Sequence, residues 1–128
     1  MKRRTLVDNK DIIWPSRVAV FKKSMYYTSK RAVTCCDFQG RTQWVFENKH
    51  TLQSPRGISV DSHGFVFVTG LDSNNVVIIS PNGEHHKELL NKDDGLDCPK
   101  ALYIDREKNN LLVANIANRA FVFKVNYV

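Results

Sequence analysis

No stretch of the sequence is apolar for long enough to cross a bilayer as a helix. The longest uninterrupted runs, such as Val76-Val77-Ile78-Ile79, fall far below the roughly 20 residues such a span needs. Met1-Lys2-Arg3-Arg4 is basic, but the segment from Thr5 to Asp11 that follows is too polar for a signal-peptide core. A cytoplasmic protein that does not engage a membrane is therefore expected. Cysteine is scarce and odd in number: Cys35, Cys36 and Cys98. Neighbouring residues on a strand point to opposite faces, so Cys35 and Cys36 are poorly placed to pair, in keeping with a reducing compartment. Cys35-Cys36 with His85-His86 lacks the C-x-x-C or H-x-x-x-H spacing of a zinc site, so buried structural thiols are expected, with no metal and no cofactor. Helical periodicity is missing as well. No stretch keeps apolar residues at helical spacing for three turns, whereas Val18 and Val20, or Ile58 and Val60, alternate as half-buried strands do.

What is present is a chain of 128 residues, 42% apolar, without the charged or low-complexity blocks of a disordered protein. Its charge is uneven. Residues 1–56 hold 12 Lys/Arg against 4 Asp/Glu, net +8, and residues 57–128 hold 7 against 9, net −2, which sum to the overall +6. Such an imbalance is compatible with an anionic partner, RNA included, although the basic residues are scattered rather than clustered.

Three segments of the chain repeat one pattern. The clearest runs Pro55-Arg56-Gly57-Ile58-Ser59-Val60-Asp61, a turn at Ser62-His63-Gly64, Phe65 to Thr69, a polar loop Gly70 to Asn75, Val76 to Ile79, a turn Ser80-Pro81-Asn82-Gly83, and His86 to Leu90. A second copy opens at Pro99 and ends in Ala120-Phe121-Val122-Phe123, and a weaker one opens at Pro15 and ends at Thr42 to Phe46. The prolines stand 40 and 44 residues apart, and four short strands in such a length is the size of one β-propeller blade. The fold expected is all-β: a partial propeller of about three four-stranded antiparallel blades, one of them split between the termini. A β-sandwich of evenly spaced strands is the alternative.

Leu6 precedes Pro15 by nine residues, as Phe46 precedes Pro55 and Leu90 precedes Pro99. That phase makes residues 5–13 the last strand of a preceding blade, 14–50 a divergent blade, 52–92 a complete blade and 97–125 an incomplete one. A closed propeller typically has four to eight blades. Completing the ring therefore calls for the remainder of a longer chain or a homodimer.

Pro55 to Asp61, Gly64-Phe65-Val66-Phe67-Val68, Asp72-Ser73-Asn74-Asn75-Val76 and Pro81-Asn82-Gly83 together resemble an NHL repeat. Asn118-Arg119-Ala120 keeps the Asn-Arg step of that repeat, whereas Phe21 stands where Asp61 and Asp105 stand, and Arg17 where Gly57 stands. The loops and turns are similar to those in the C-terminal propellers of tripartite-motif proteins. That resemblance implies recognition of a protein substrate in the service of ubiquitin ligation, with any ligase activity residing in a RING that these residues do not contain.

A non-catalytic scaffold that binds a protein is therefore the first expectation. Its contacts fall on the segments before each opening strand and on the loops between second and third strands, which share one mouth of the ring. Candidates there are Lys30, Arg31, Arg56, Asp72, Asn74, Lys100 and Asn118. The alternative is single-stranded RNA, for which Arg17, Lys30, Arg31, Arg56, Lys100 and Arg119 supply cations for phosphate and planes for bases. A third reading, a metal-dependent hydrolase or lyase as in related propellers, needs inward Asp, Glu or His from several blades. Asp61 and Asp105 recur, but at positions that suit turns, and His63, His85 and His86 fall in polar turns.

Overall fold

The computed structural model describes residues 1–13 and 16–126. Eleven strands in chain order are β1 (Val18–Phe21), β2 (Ser24–Thr28), β3 (Val33–Asp37), β4 (Thr42–Phe46), β5 (Pro55–Val60), β6 (Val66–Gly70), β7 (Asn75–Ile79), β8 (His86–Leu90), β9 (Pro99–Asp105), β10 (Asn110–Asn115) and β11 (Ala120–Lys124). They form three antiparallel meanders, β1-β2-β3-β4, β5-β6-β7-β8 and β9-β10-β11, here the first, second and third blades. The architecture is a partial β-propeller. The proline assigned to the start of the first blade, Pro15, lies outside the described residues. Among the described residues no helix is long and apolar enough to cross a membrane.

Turn chemistry cuts the strands where the sequence places them. Asp61 accepts from the backbone N–H of His63 and Phe65 at 2.9 Å each, closing the β5–β6 hairpin. Asn82 accepts from Glu84 N–H at 3.0 Å, and Gly83 adopts a positive φ of 76°, closing the β7–β8 turn. Asp105 repeats the Asp61 device by accepting from Glu107 N–H at 3.0 Å.

Blades stack face to face, and the stacking decides which strands alternate in burial. Tyr26, Val33, Cys35 and Phe46 of the first blade pack on Ile58, Val60, Val66, Val68, Val77 and Ile79 of the second. Phe67 and Val76, on the opposite face of the second blade, pack on Ile104, Leu111 and Val113 of the third. The middle blade is thus covered on both sides, and every residue of β6 is buried. Such strands read as continuous apolar runs, as Val66-Phe67-Val68 does. Burial of Phe67 alone stabilises by about 1.5–3 kcal/mol. Ile58 and Val60, expected on a half-buried strand, instead sit on one that is buried on both faces, because Ser59 between them is covered by the third blade and accepts from Ile104 N–H at 3.2 Å. β11, with one face uncovered, keeps the alternation.

The expected last strand over residues 5–13 is not formed. Residues 1–9 carry no secondary structure, and only a turn at Lys10–Asp11 follows. A fourth strand needs a third strand beside it to supply ladder hydrogen bonds, and among the described residues none is paired with this segment. The split blade consequently has three strands, β9 to β11.

Candidate functional site

Two buried threonines position the opening strands. Thr28 Oγ1 accepts from Arg17 N–H at 2.9 Å and donates to Arg56 O at 3.0 Å, and Thr69 Oγ1 accepts from Gly57 N–H at 2.8 Å. Both stand at the same place, near the end of a second strand, so in the first and second blades the second strand fixes the start of the first. Arg17 and Gly57 are equivalent in the repeat, and because the bond is to the backbone it is made in both blades whatever the side chain.

The loops between second and third strands are knitted to the segments that precede the opening strands in every blade. Lys30 N–H donates to Asp11 O at 2.8 Å, Leu71 N–H to Ser54 O at 3.0 Å, and Ile116 N–H to Cys98 O at 3.0 Å. These loops and segments share one rim, as the sequence pattern implies. Two candidate contact residues are spent on the same knitting. Asp72 accepts from the Ser54 hydroxyl, and Asn74, held at a positive φ of 54°, accepts from Cys98 N–H at 2.9 Å. Asn118 takes a positive φ of 64° in the corresponding loop of the third blade.

Buried asparagines complete the rim. Asn75 donates Nδ2 to Thr51 O at 2.6 Å and to Glu88 Oε1 at 2.9 Å, and accepts from Ser73 Oγ at 2.8 Å. Asn115 donates to Gly95 O and accepts from Asp97 N–H, both at 3.1 Å. Their roles were hidden in the sequence because each asparagine resembles any other loop residue until its distant carbonyl partner is known.

Between the first and second blades this rim opens into a groove of about 570 Å³ lined by Lys30, Arg31, Glu47, Lys49, Leu52, Gln53 and Ser54. Leu52 is 2% exposed and forms the floor, while the ends of Lys30, Arg31, Glu47, Lys49 and Gln53 reach solvent. Gln53 Nε2 donates to Lys49 O at 3.0 Å, within the segment that leads from β4 into β5. Three cations and one carboxylate thus line the groove together with the buried Leu52. Lys30 and Arg31, neighbours in the sequence and candidates from it, both line this groove. Lys49 and Glu47 were not, because only the chain's return from β4 brings them to the same groove.

The remaining candidates lie outside this groove. Arg17 is exposed with Nη1 donating to Ser16 O at 3.3 Å, Arg56 is half-buried with Nη1 donating to Pro55 O at 3.0 Å, and Lys100 and Arg119 are exposed. Among the described residues no three His, Cys, Asp or Glu side chains are grouped so as to hold a metal ion. The three thiols are unpaired, and burial pushes Cys35 and Cys36 above the ordinary thiol value.

Fold and rim together define a segment of a β-propeller carrying the NHL-like repeat read from the sequence. No family model matches the chain. The chain is similar to the mouse E3 ubiquitin-protein ligase TRIM56, 31% identical over 101 residues, which are 77% of this chain and 13% of that protein. It therefore spans about an eighth of that relative's length. Among solved structures it superposes on Kuenenia stuttgartiensis hydrazine synthase with a TM-score of 0.70 at 15% identity, covering 84% of this chain and 31% of that one. A nidogen/laminin complex gives 0.64 at 21% identity, covering 77% and 38%, and the Neurospora crassa Pan2 WD40 domain gives 0.59 at 18% identity, covering 82% and 35%. At such identities these likenesses establish the fold alone.

Proposed function

We propose that the chain is a non-catalytic interaction module of a propeller, and that the groove between its first two blades receives an extended, acidic segment of a protein partner. The observation that carries this reading is the groove's composition, with Lys30, Arg31 and Lys49 around the buried Leu52. Lysine and arginine stems supply apolar walls while their heads stay in water, so the groove suits a peptide that alternates carboxylates with an apolar side chain. The similarity to a ubiquitin ligase supports a further step, in which that segment belongs to a substrate of ubiquitin transfer.

The test is fluorescence anisotropy of the chain against 12-residue peptides bearing Asp or Glu on both sides of a Leu, with charge-neutral peptides as controls. Acidic peptides are expected to bind, and Lys30→Glu with Arg31→Glu and Lys49→Glu to abolish binding while the fold, read by circular dichroism, is unchanged. Binding that ignores these substitutions overturns the assignment. Salt-sensitive binding of single-stranded RNA with no binding of acidic peptides would transfer the groove to a nucleic-acid role.

A further inference from the structure

The rim carries a second junction built like the first. Leu96 is buried three residues before Pro99, as Leu52 is three residues before Pro55, and the residues just ahead of those prolines, Cys98 and Ser54, both hold a positive φ, 49° and 55°. Cys98 N–H donates to Asn74 Oδ1 of the second blade and Asp97 N–H to Asn115 Oδ1 of the third, so the segment before β9 is tied to the loops of both. The segment before β5 likewise shares the groove with Lys30 and Arg31 of the first blade and accepts, through Ser54 O, from Leu71 N–H of the second.

Charge reverses between these two junctions, position by position. Counting back from the prolines, Lys49 corresponds to Asp93 and Gln53 to Asp97; counting on from Thr28 and Thr69, Lys30 corresponds to Leu71 and Arg31 to Asp72. Glu47 corresponds to the neutral Asn91. Over these positions the first junction holds three cations and one carboxylate, net +2, and the second holds three carboxylates and no cation, net −3. Lys92 and Asp94, at the positions of Asn48 and His50, offset one another.

Most of these charges are spent on nothing inside the chain. Asp61, Asp94 and Asp105 accept from nearby backbone N–H groups, and Asp72 from the Ser54 hydroxyl. Among the described residues, by contrast, the carboxylates of Asp93 and Asp97 and the heads of Lys30, Arg31 and Lys49 make no hydrogen bond or ion pair. All of them are exposed.

We propose that the partner segment held in the groove between the first and second blades continues across the second junction and is bipolar: an acidic stretch lies at Lys30, Arg31 and Lys49, and a basic stretch at Asp72, Asp93 and Asp97. This rests on the function proposed for the groove and adds the partner's second half. Packed sheets stand about 10 Å apart and an extended chain rises about 3.3 Å per residue, so about three residues separate the two stretches. A segment laid the other way round brings like charges together at both ends, which fixes its direction.

Fluorescence anisotropy of the full chain at low salt tests this with three peptides of equal length. One carries Glu on both sides of a Leu, three neutral residues and then three Lys; the second has Ser in place of the Lys; the third intermixes the charges of the first. The bipolar peptide is expected to bind about tenfold tighter than the other two. Asp93→Asn with Asp97→Asn, which disturb no internal bond, are expected to remove most of that gain and Asp72→Asn the rest, while the lysine-free peptide binds no more weakly. Binding of the lysine-free peptide with no gain from the lysines overturns the bipolar partner and leaves the groove's proposed function standing. A gain that survives the three asparagines, or an intermixed peptide that binds as tightly as the bipolar one, overturns it too. No binding of any peptide removes both.

Discussion

Gly57→Ala is the substitution whose cost the structure specifies most directly. Gly57 lies on β5 where it runs closest to β9, and a Cβ there would stand 2.8 Å from Ala101 Cα, 2.9 Å from Leu102 N and 3.0 Å from Lys100 O. All three are backbone atoms, so no side-chain rotation relieves the contact. Carbon atoms in ordinary contact stand about 3.5–4.0 Å apart, so the two strands must separate by nearly 1 Å. That seam covers the cluster of Phe67, Leu111 and Val113. Overpacking of a well-filled core costs about 1–3 kcal/mol, and the alanine methyl returns about 0.4–1 kcal/mol by restricting the unfolded chain. The expected net loss is about 1–2 kcal/mol. With a urea dependence of about 1–3 kcal/mol per molar, the unfolding midpoint falls by roughly 0.5–1 M. The assay is equilibrium urea unfolding followed by far-ultraviolet circular dichroism and tryptophan fluorescence at one fixed protein concentration. Gly57→Val is expected to lose more than Gly57→Ala. A midpoint for Gly57→Ala equal to or above that of the parent chain would refute the reasoning, because it would mean the blades have slack where the distances show none.

Asn75→Ala removes the amide that satisfies Thr51 O and Glu88 from a site only 2% exposed, and a loss of about 1–3 kcal/mol is expected in the same assay. Asn75→Asp is expected to be no better, since it sets a carboxylate against that carbonyl and the Glu88 carboxylate. Trp44→Phe loses the 2.9 Å bond to Pro81 O but keeps the ring over Gly83, so about 0.5–1.5 kcal/mol is expected, and an unchanged midpoint would remove the role assigned to that bond. Native thiol titration is expected to modify Cys98 first, because Cys35 and Cys36 are buried and Cys98 is half-exposed; equal rates for all three would contradict the blade packing. Burial raises the pKa of Cys35, Cys36 and Tyr26 in the fold. The stability tied to the neutral thiols is therefore full below their ordinary value of 9.0 and is lost as pH rises through the folded values. The urea midpoint is expected to drop as pH rises above the ordinary thiol value of 9.0, and a flat profile there would count against buried neutral thiols.

Much of the architecture was legible because its determinants are local. Asp61, Asn82-Gly83 and Asp105 close turns through bonds that span two to four residues, and the spacing of Pro55 and Pro99 marks the opening of successive blades. Placing the second-to-third loops on one rim also needed only the repeat phase. Asp72 and Asn74 were legible as rim residues but not as structural ones, since their partners, Ser54 and Cys98, lie 18 and 24 residues away in the chain.

The sequence by itself determined the strands, their turns, the blade period and the side of the sheet on which the loops gather, because each depends on neighbours in the chain. Tertiary structure alone decided which faces are covered and which edges are paired. It made Ile58 and Val60 part of a strand buried on both faces, and brought Lys49 and Glu47 to one groove with Lys30 and Arg31. It also left residues 5–8 without a ladder. A strand's phase is written in its own residues, but its hydrogen bonds and the cover over its face belong to whatever lies beside it in space.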